Sequence, residues 1–205
     1  MIMTKLAYLK ESPSQTAGPY VHIGCTPNVI GNDGIYPQDL GAAMITGPAK
    51  GEQITFAGRI FDGTGTVLRD AMVEIWQADA QGIYNSPAET RGAADPNFTG
   101  FGRQAVDMES GAFTFETLKP GRVPFPDGRL QAPHINIWIV ARGINLGLNT
   151  RAYFSDEETA NADDPVLARI EHKHRIQTLI AQKERNTYTL DIYLQGERET
   201  VFFDI

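Results

Sequence analysis

Cysteine, long apolar runs and clustered positive charge are all scarce in this chain. Its 205 residues include one cysteine, Cys25, so no internal disulfide can form, and we expect a reducing, cytoplasmic location. No apolar run approaches membrane-spanning length, and Met1 to Lys10 lacks the apolar core of a secretory signal. The formal net charge is −7, and Lys or Arg never occur more than two in a row. This balance argues against nucleic acid and anionic membranes as partners.

Glycine and proline, in contrast, are plentiful, with 20 and 12 residues. They divide the chain into short segments of β-branched and aromatic residues, which is typical of a mainly β sandwich or barrel. A helix is predicted near Pro165, where two aspartates precede a proline suited to a first helical position, and Ile176, Leu179 and Ile180 form a second apolar helical stripe. The predicted strands are Ile54–Phe61, Met72–Ala78, Ala112–Leu118, Ala132–Arg142, Tyr188–Gln195 and Val201–Phe203.

The first 50 residues differ from the rest. They have no hydrophobic period and are rich in Gly, Pro and Asn, so residues 1–50 are predicted to form an irregular arm and residues 51–205 a single β domain. Such an arm needs a surface to lie on. A partner chain and the arm's own domain are both possible supports.

One predicted strand carries a histidine where a metal site could begin. In Ala132–Val140, His134 and Asn136 share one face, while Ile135 and its alternating neighbours face the core. A His-x-His pair could bind a metal, but the amide of Asn136 is a poor ligand for ferric iron. A buried structural histidine is therefore the favoured interpretation of His134.

Other candidate groups have ordinary structural interpretations. His172 and His174 lie in a charged segment where a spacing of two does not converge side chains, so a solvated face is favoured. Glu74 and Asp79 fall on opposite faces of a strand or its end, which argues against a catalytic carboxylate pair. Cys25 has no nucleophile motif around it and is expected to be a small buried or interface side chain.

A set of motifs spread along the chain resembles the intradiol ring-cleavage dioxygenases. The resemblance implies a two-layer, transthyretin-like β-sandwich with one or two short helices. It also implies O2-dependent cleavage of an aromatic diol such as protocatechuate, at a non-haem Fe(III) held by two Tyr and two His. The segments that carry it are Phe56-Ala57-Gly58-Arg59-Ile60, Gly65, Leu68, Val73-Glu74-Ile75, Gly82-Ile83-Tyr84, Asp95-Pro96-Asn97-Phe98, Gly102-Arg103, Lys119-Pro120-Gly121, Ala132 to Asn136, Gln195-Gly196-Glu197 and Phe202-Phe203.

The family's iron ligands are mostly missing from this chain. The two tyrosine positions are occupied by Thr90 and Val123, the first histidine survives as His134, and the second is Asn136. An arginine that precedes the first histidine in catalytic chains is Gln131 here. One imidazole cannot hold ferric iron, so we expect no metal bound by this chain. The resemblance then implies an iron-free subunit that works with a homologous, Fe(III)-bearing chain in a large assembly.

The same resemblance places part of the arm beside the substrate pocket formed with that partner. It assigns Thr16, Gly18, Pro19 and Tyr20 to this pocket, and Arg142 to the binding of a substrate carboxylate. Without the resemblance, Tyr20 would be an aromatic anchor for the arm and Arg142 a solvated strand-end charge. A different class of function, a β-sandwich binding or scaffold module with no part in ring cleavage, also fits the composition.

Overall fold

The computed structural model describes residues 16–145 and 147–204 of the chain. The predictions made for Met1 to Lys10 and for the start of the arm lie outside these residues. The described residues are mainly β, as predicted, with two short α-helices and three short 3-10 helices. The strands are β1 Gln53–Phe61, β2 Met72–Trp76, β3 Phe101–Ala105, β4 Ala112–Leu118, β5 His134–Val140, β6 Leu148–Phe154, β7 Ile180–Glu184, β8 Thr187–Thr189 and β9 Ile192–Tyr193. The helices are α1 Pro19–Cys25 and α2 Glu158–Ala162, with 3-10 helices at Asn28–Ile30, Leu167–Arg169 and Lys173–Leu179.

The strands form one hydrogen-bonded path that folds over on itself as a sandwich. Its order is β3-β2-β5-β6-β7-β8-β1-β4, and β9 pairs with β1. Residues of the two layers meet closely in the interior. A Cβ atom placed on Gly102 in β3 would lie 2.8 Å from the ring of Phe115 in β4, so glycine is needed where the layers touch.

The core follows from alternation along the strands. Ile135, Ile137 and Ile139 of β5 turn inward, at 2% exposure or less, as their spacing predicted. They join the buried rings of β1 and β4, where the Phe56 and Phe113 ring centroids are 5.6 Å apart. Burial of each such side chain contributes about 1.5–3 kcal/mol. The opposite face of β5 is thereby left for His134 and Asn136.

Several element predictions need correction. Strands β3, β6 and β7 were not predicted, because their polar residues mask the alternation. The predicted strand Tyr188–Gln195 is interrupted, and Val201–Phe203 contributes only an isolated bridge between Phe203 and Asn149.

The helix predicted near Pro165 is wrong. The α-helix α2 ends before it, at Ala162, and only short 3-10 helices follow. The buried carboxylate of Asp164 accepts hydrogen bonds from the backbone N–H groups of Val166 and Leu167, both at 2.8 Å, which tightens the turn there. Ile170 then adopts an extended conformation and ends the helical segment.

The helices within residues 16–145 and 147–204 are too short and too polar to cross a bilayer.

Candidate functional site

His134 is buried on the outer face of β5, at 3% exposure. Its Nδ1 lies 2.8 Å from the carbonyl oxygen of Ala132, which can only accept, so Nδ1 carries the proton. Nε2 has no hydrogen-bond partner among the described residues. Burial, together with the positive charge of Arg151, lowers the pKa of His134 to about 4. At neutral pH the ring is therefore uncharged and offers a single lone pair.

The other positions equivalent to iron ligands offer no set of donors. The Nδ2 of Asn136 donates to the carbonyl oxygen of Trp76 at 3.1 Å, so this amide is already engaged. Val123 is a buried hydrocarbon and Thr90 is exposed. Across residues 16–145 and 147–204, no three His, Cys, Asp or Glu side chains cluster as metal ligands would. The described residues at these positions do not fit ferric iron.

Gln131, which stands at the arginine position of catalytic chains, is built into the local framework. Its Nε2 donates to the carbonyl oxygen of Pro124 at 3.3 Å, and its Oε1 accepts from Nη1 of Arg151 at 2.9 Å. The buried Asp164 holds the residues just before β5 by accepting the N–H of Ala132 at 2.7 Å. These contacts fix the residues that lead into β5, and Gln131 itself adds no charge beside His134.

The family motifs meet in a rigid loop cluster beside β2. Asp79 is buried and accepts three backbone N–H groups, those of Gln81, Ile83 and Asp95, each at 2.9 Å. Gly82 has φ +79°, and a Cβ there would lie 2.1 Å from the carbonyl oxygen of Arg122. Asp79 is thus structural, as its position predicted. The contacts of these motif residues hold the loops together.

The other candidate groups also occupy structural or solvated positions. Glu74 forms an ion pair with Arg103 at 2.6 Å across β2 and β3. His172 and His174 are exposed, with ring centroids 5.9 Å apart. Cys25 is a free, partly buried cysteine at the end of α1.

The predicted substrate residues of the arm lie at the end of the sandwich where β5 ends. The hydroxyl of Thr16 accepts the N–H of Gly143 at 2.6 Å and lies 3.3 Å from the carbonyl oxygen of Ala141, so it brackets Arg142. Gly18 and Pro19 begin α1, which has no buried residue, and Tyr20 is 84% exposed. The described part of the arm therefore contacts its own domain at Thr16, and further along at Met44 in the core, and presents Tyr20 outward.

One residue near Arg142, Asp70, was missed by sequence reasoning. Asp70 accepts from Nε of Arg142 at 3.0 Å, and its carbonyl oxygen lies 3.0 Å from Nε2 of His22. The signal was the strand register: Met72 pairs with Val140, so Asp70 continues the antiparallel pairing opposite Arg142. Asp70 thereby connects helix α1 to the end of β5.

A second feature, a concave pocket of about 660 Å³, covers the outer face of β2, β5 and β6. Asn136 lines it together with Trp76 and Arg151, whereas Thr90, Val123 and His134 do not. Tyr84 stacks on Trp76 with centroids 5.9 Å apart, and burial raises its pKa. The Tyr84 hydroxyl is therefore neutral and a hydrogen-bonding group at physiological pH.

Comparison with known proteins defines the class. A family model described as "Dioxygenase" matches residues 27–196. The solved structure of 3-chlorocatechol 1,2-dioxygenase from Rhodococcus opacus 1CP matches with a TM-score of 0.54 at 20% identity, covering 77% of this chain and 68% of that one, which shows a shared fold. The chain belongs to the intradiol ring-cleavage dioxygenase family, whose members use iron.

Particular relatives narrow this further. The protocatechuate 3,4-dioxygenase alpha chain of Pseudomonas putida is 46% identical over 200 residues, which is 96% of this chain and 97% of that protein. The beta chain of the same enzyme from Burkholderia cepacia is 32% identical over 169 residues, covering 77% of this chain and 71% of that protein. The chain is thus similar to both subunit types, with higher identity to the alpha chain.

Proposed function

We propose that this chain is an iron-free, alpha-type subunit of a protocatechuate 3,4-dioxygenase. It pairs in the cytoplasm with a homologous beta-type chain, which holds the Fe(III), and several such pairs form a large assembly. The pair cleaves protocatechuate with O2 to 3-carboxy-cis,cis-muconate. In this division of labour the arm, residues 1–50, and the domain, residues 51–205, contribute pocket walls and no metal ligand.

The observation that carries the proposal is the combination of high similarity to alpha chains with a donor set that cannot hold iron. Val123 has no donor atom, Thr90 is exposed, and Asn136 is hydrogen-bonded to the backbone of β2. Among the four positions equivalent to iron ligands, only His134 keeps a ring nitrogen suited to a metal. Ring cleavage therefore requires donors from another chain.

The surface of the arm supports pairing with another chain. Six of the eight large apolar side chains that are exposed among the described residues lie between residues 20 and 40. Helix α1 buries none of its own residues against the domain. A concentration of exposed apolar side chains on one segment is typical of a protein-protein interface. The six are Tyr20, Ile23, Val29, Ile35, Tyr36 and Leu40.

Arg142 has the chemistry to bind the carboxylate of protocatechuate. Its side chain is 78% exposed, and Asp70 engages it through Nε. The two terminal amino groups of the guanidinium then remain for a two-pronged contact with a carboxylate. Thr16 holds the turn around Arg142, so the arm sets the direction of this group.

The division of labour is tested by measuring iron content and protocatechuate cleavage for this chain alone, the beta-type chain alone and the co-expressed pair. We expect iron in the beta-type chain and the pair, and full cleavage in the pair. Iron bound by this chain in pure form, or cleavage by it alone, would refute the proposal. A pair in which this chain adds nothing to activity would support a scaffold role instead.

The role of Arg142 is tested in the pair with Arg142→Ala. Loss of a charge-assisted contact should raise the KM for protocatechuate about tenfold or more, with kcat and iron content changed much less. Arg129→Ala is the matched control, because Arg129 is also exposed and also paired with an aspartate, Asp127. Unchanged KM with weakened assembly would assign Arg142 to packing.

A further inference from the structure

The pocket on the outer face of β2, β5 and β6 has no role in the proposed function. None of the five predicted substrate residues lines it. Its volume of about 660 Å³ falls in the range of small-molecule sites, and its walls combine apolar area with a few polar groups. The Trp and Phe residues that line it are Trp76, Phe101, Phe125, Trp138, Phe202 and Phe203.

Strand register places rings and a guanidinium side by side on the pocket floor. Trp76 of β2 pairs with Asn136 of β5, which pairs with Arg151 of β6. In the adjacent row, Trp138 of β5 pairs with Asn149 of β6. Side chains directly opposite one another on a sheet face lie about 5 Å apart. The rings of the two tryptophans and the guanidinium of Arg151 are therefore close enough for one small ring compound to contact both.

Among the described residues, no acidic side chain forms an ion pair with Arg151. Its Nη1 donates to Oε1 of Gln131 at 2.9 Å and lies 3.4 Å from the Tyr153 hydroxyl, and both partners are uncharged. The acidic side chain on the same floor, Glu74, is already paired with Arg103.

The other charged groups of the pocket do not cancel the positive charge of Arg151. Arg175 is paired with Glu199 at 2.8 Å, whereas the guanidinium of Arg169 lies over the ring of Phe125, 4.7 Å from its centroid. The remaining acidic lining residues, Glu171 and Asp204, are exposed to solvent, where their charges are screened. An anion in the pocket would meet Arg151 as its nearest unpaired charge on the floor.

We propose that this pocket is a second binding site, which takes a small aromatic carboxylate without reacting with it. The ring packs among the aromatic side chains and the carboxylate pairs with Arg151. A neutral ring compound would fill the apolar volume but leave Arg151 without a counter-charge. All the lining residues of the site belong to this chain, and Arg142 is not among them.

The chain carries its own reporter of binding, because its two tryptophans, Trp76 and Trp138, both line the pocket. The full-length chain is titrated with benzoate while tryptophan fluorescence is recorded, and the titration is repeated with benzamide, which has the same shape and no charge. We expect a saturable change with benzoate and binding about tenfold weaker or more for benzamide. This comparison needs no substitution.

Arg151→Gln should weaken benzoate binding about tenfold or more and leave benzamide binding unchanged. Arg59→Gln is the matched control: Arg59 is exposed on β1, outside the pocket lining, and its loss should change neither titration. Absence of a saturable signal, equal affinity for benzoate and benzamide, or unchanged benzoate binding by a folded Arg151→Gln protein would overturn the proposal. Each result is obtained without measuring ring cleavage, so it is separate from the test of the proposed function.

Discussion

The buried imidazole of His134 should make the stability of this chain depend on pH between neutrality and pH 5. In the folded chain burial lowers the pKa of His134 to about 4, whereas an unfolded chain returns it to the usual 6.5. The unfolded state therefore binds a proton more readily. The stability associated with the neutral ring is complete above pH 6.5 and is lost as pH falls toward 4.

The size of this effect follows from the two pKa values. The gap corresponds to about 3 kcal/mol once the pH is below both values. Between pH 7.5 and pH 5.0 the expected loss is about 2 kcal/mol. Paired carboxylates such as Asp156, whose pKa partial burial would raise but contacts with Lys183 and Lys119 lower, lose their contribution only below the usual 3.8. The chosen pH range therefore isolates the histidine.

The assay is urea unfolding of the full-length chain at several pH values, with His134→Gln as the perturbation. Glutamine does not titrate, so the free energy of unfolding of the variant relative to the wild type should rise by about 2 kcal/mol from pH 7.5 to pH 5.0. His172→Gln is the control, because His172 is exposed. A constant difference between His134→Gln and wild type over this range would refute the assignment of a neutral, buried ring.

Two further substitutions test the framework around the site by urea unfolding at pH 7.5. Asp164→Asn should lower the free energy of unfolding by about 1.5–3 kcal/mol, because the carboxylate accepts the N–H groups of Ala132, Val166 and Leu167 and the NH2 group of an amide cannot accept them. A decrease below about 0.5 kcal/mol would contradict this. Gly82→Ala should lower the free energy of unfolding by at least about 1 kcal/mol, because φ is +79° and a Cβ would lie 2.1 Å from a carbonyl oxygen. Gly128→Ala should lower it less, because Gly128 has a positive φ but open space around it. Equal losses for the two glycines would show that steric contact is not the cause.

The failed predictions share a physical cause, which is dependence on neighbours distant in sequence. Strand β6 contains several polar residues, and its backbone is paired with β5, whose sequence pattern differs from its own. The 3-10 turns after Pro165 depend on Asp164, whose carboxylate accepts the N–H of Ala132, just before β5. A local period cannot reveal such partners. Strands with their own clear alternation, such as β1, β4 and β5, were predicted to within two residues at each end.

The sequence by itself determined the mainly β class, the family motifs and the shortage of iron donors, because residue type and spacing along one strand suffice for each. Only the tertiary structure decided that His134 is neutral, that Asp70 engages Arg142, and that Trp76, Asn136 and Arg151 form one row across three strands. Those facts depend on burial and on strand register, which are set by the packing of segments far apart in the chain.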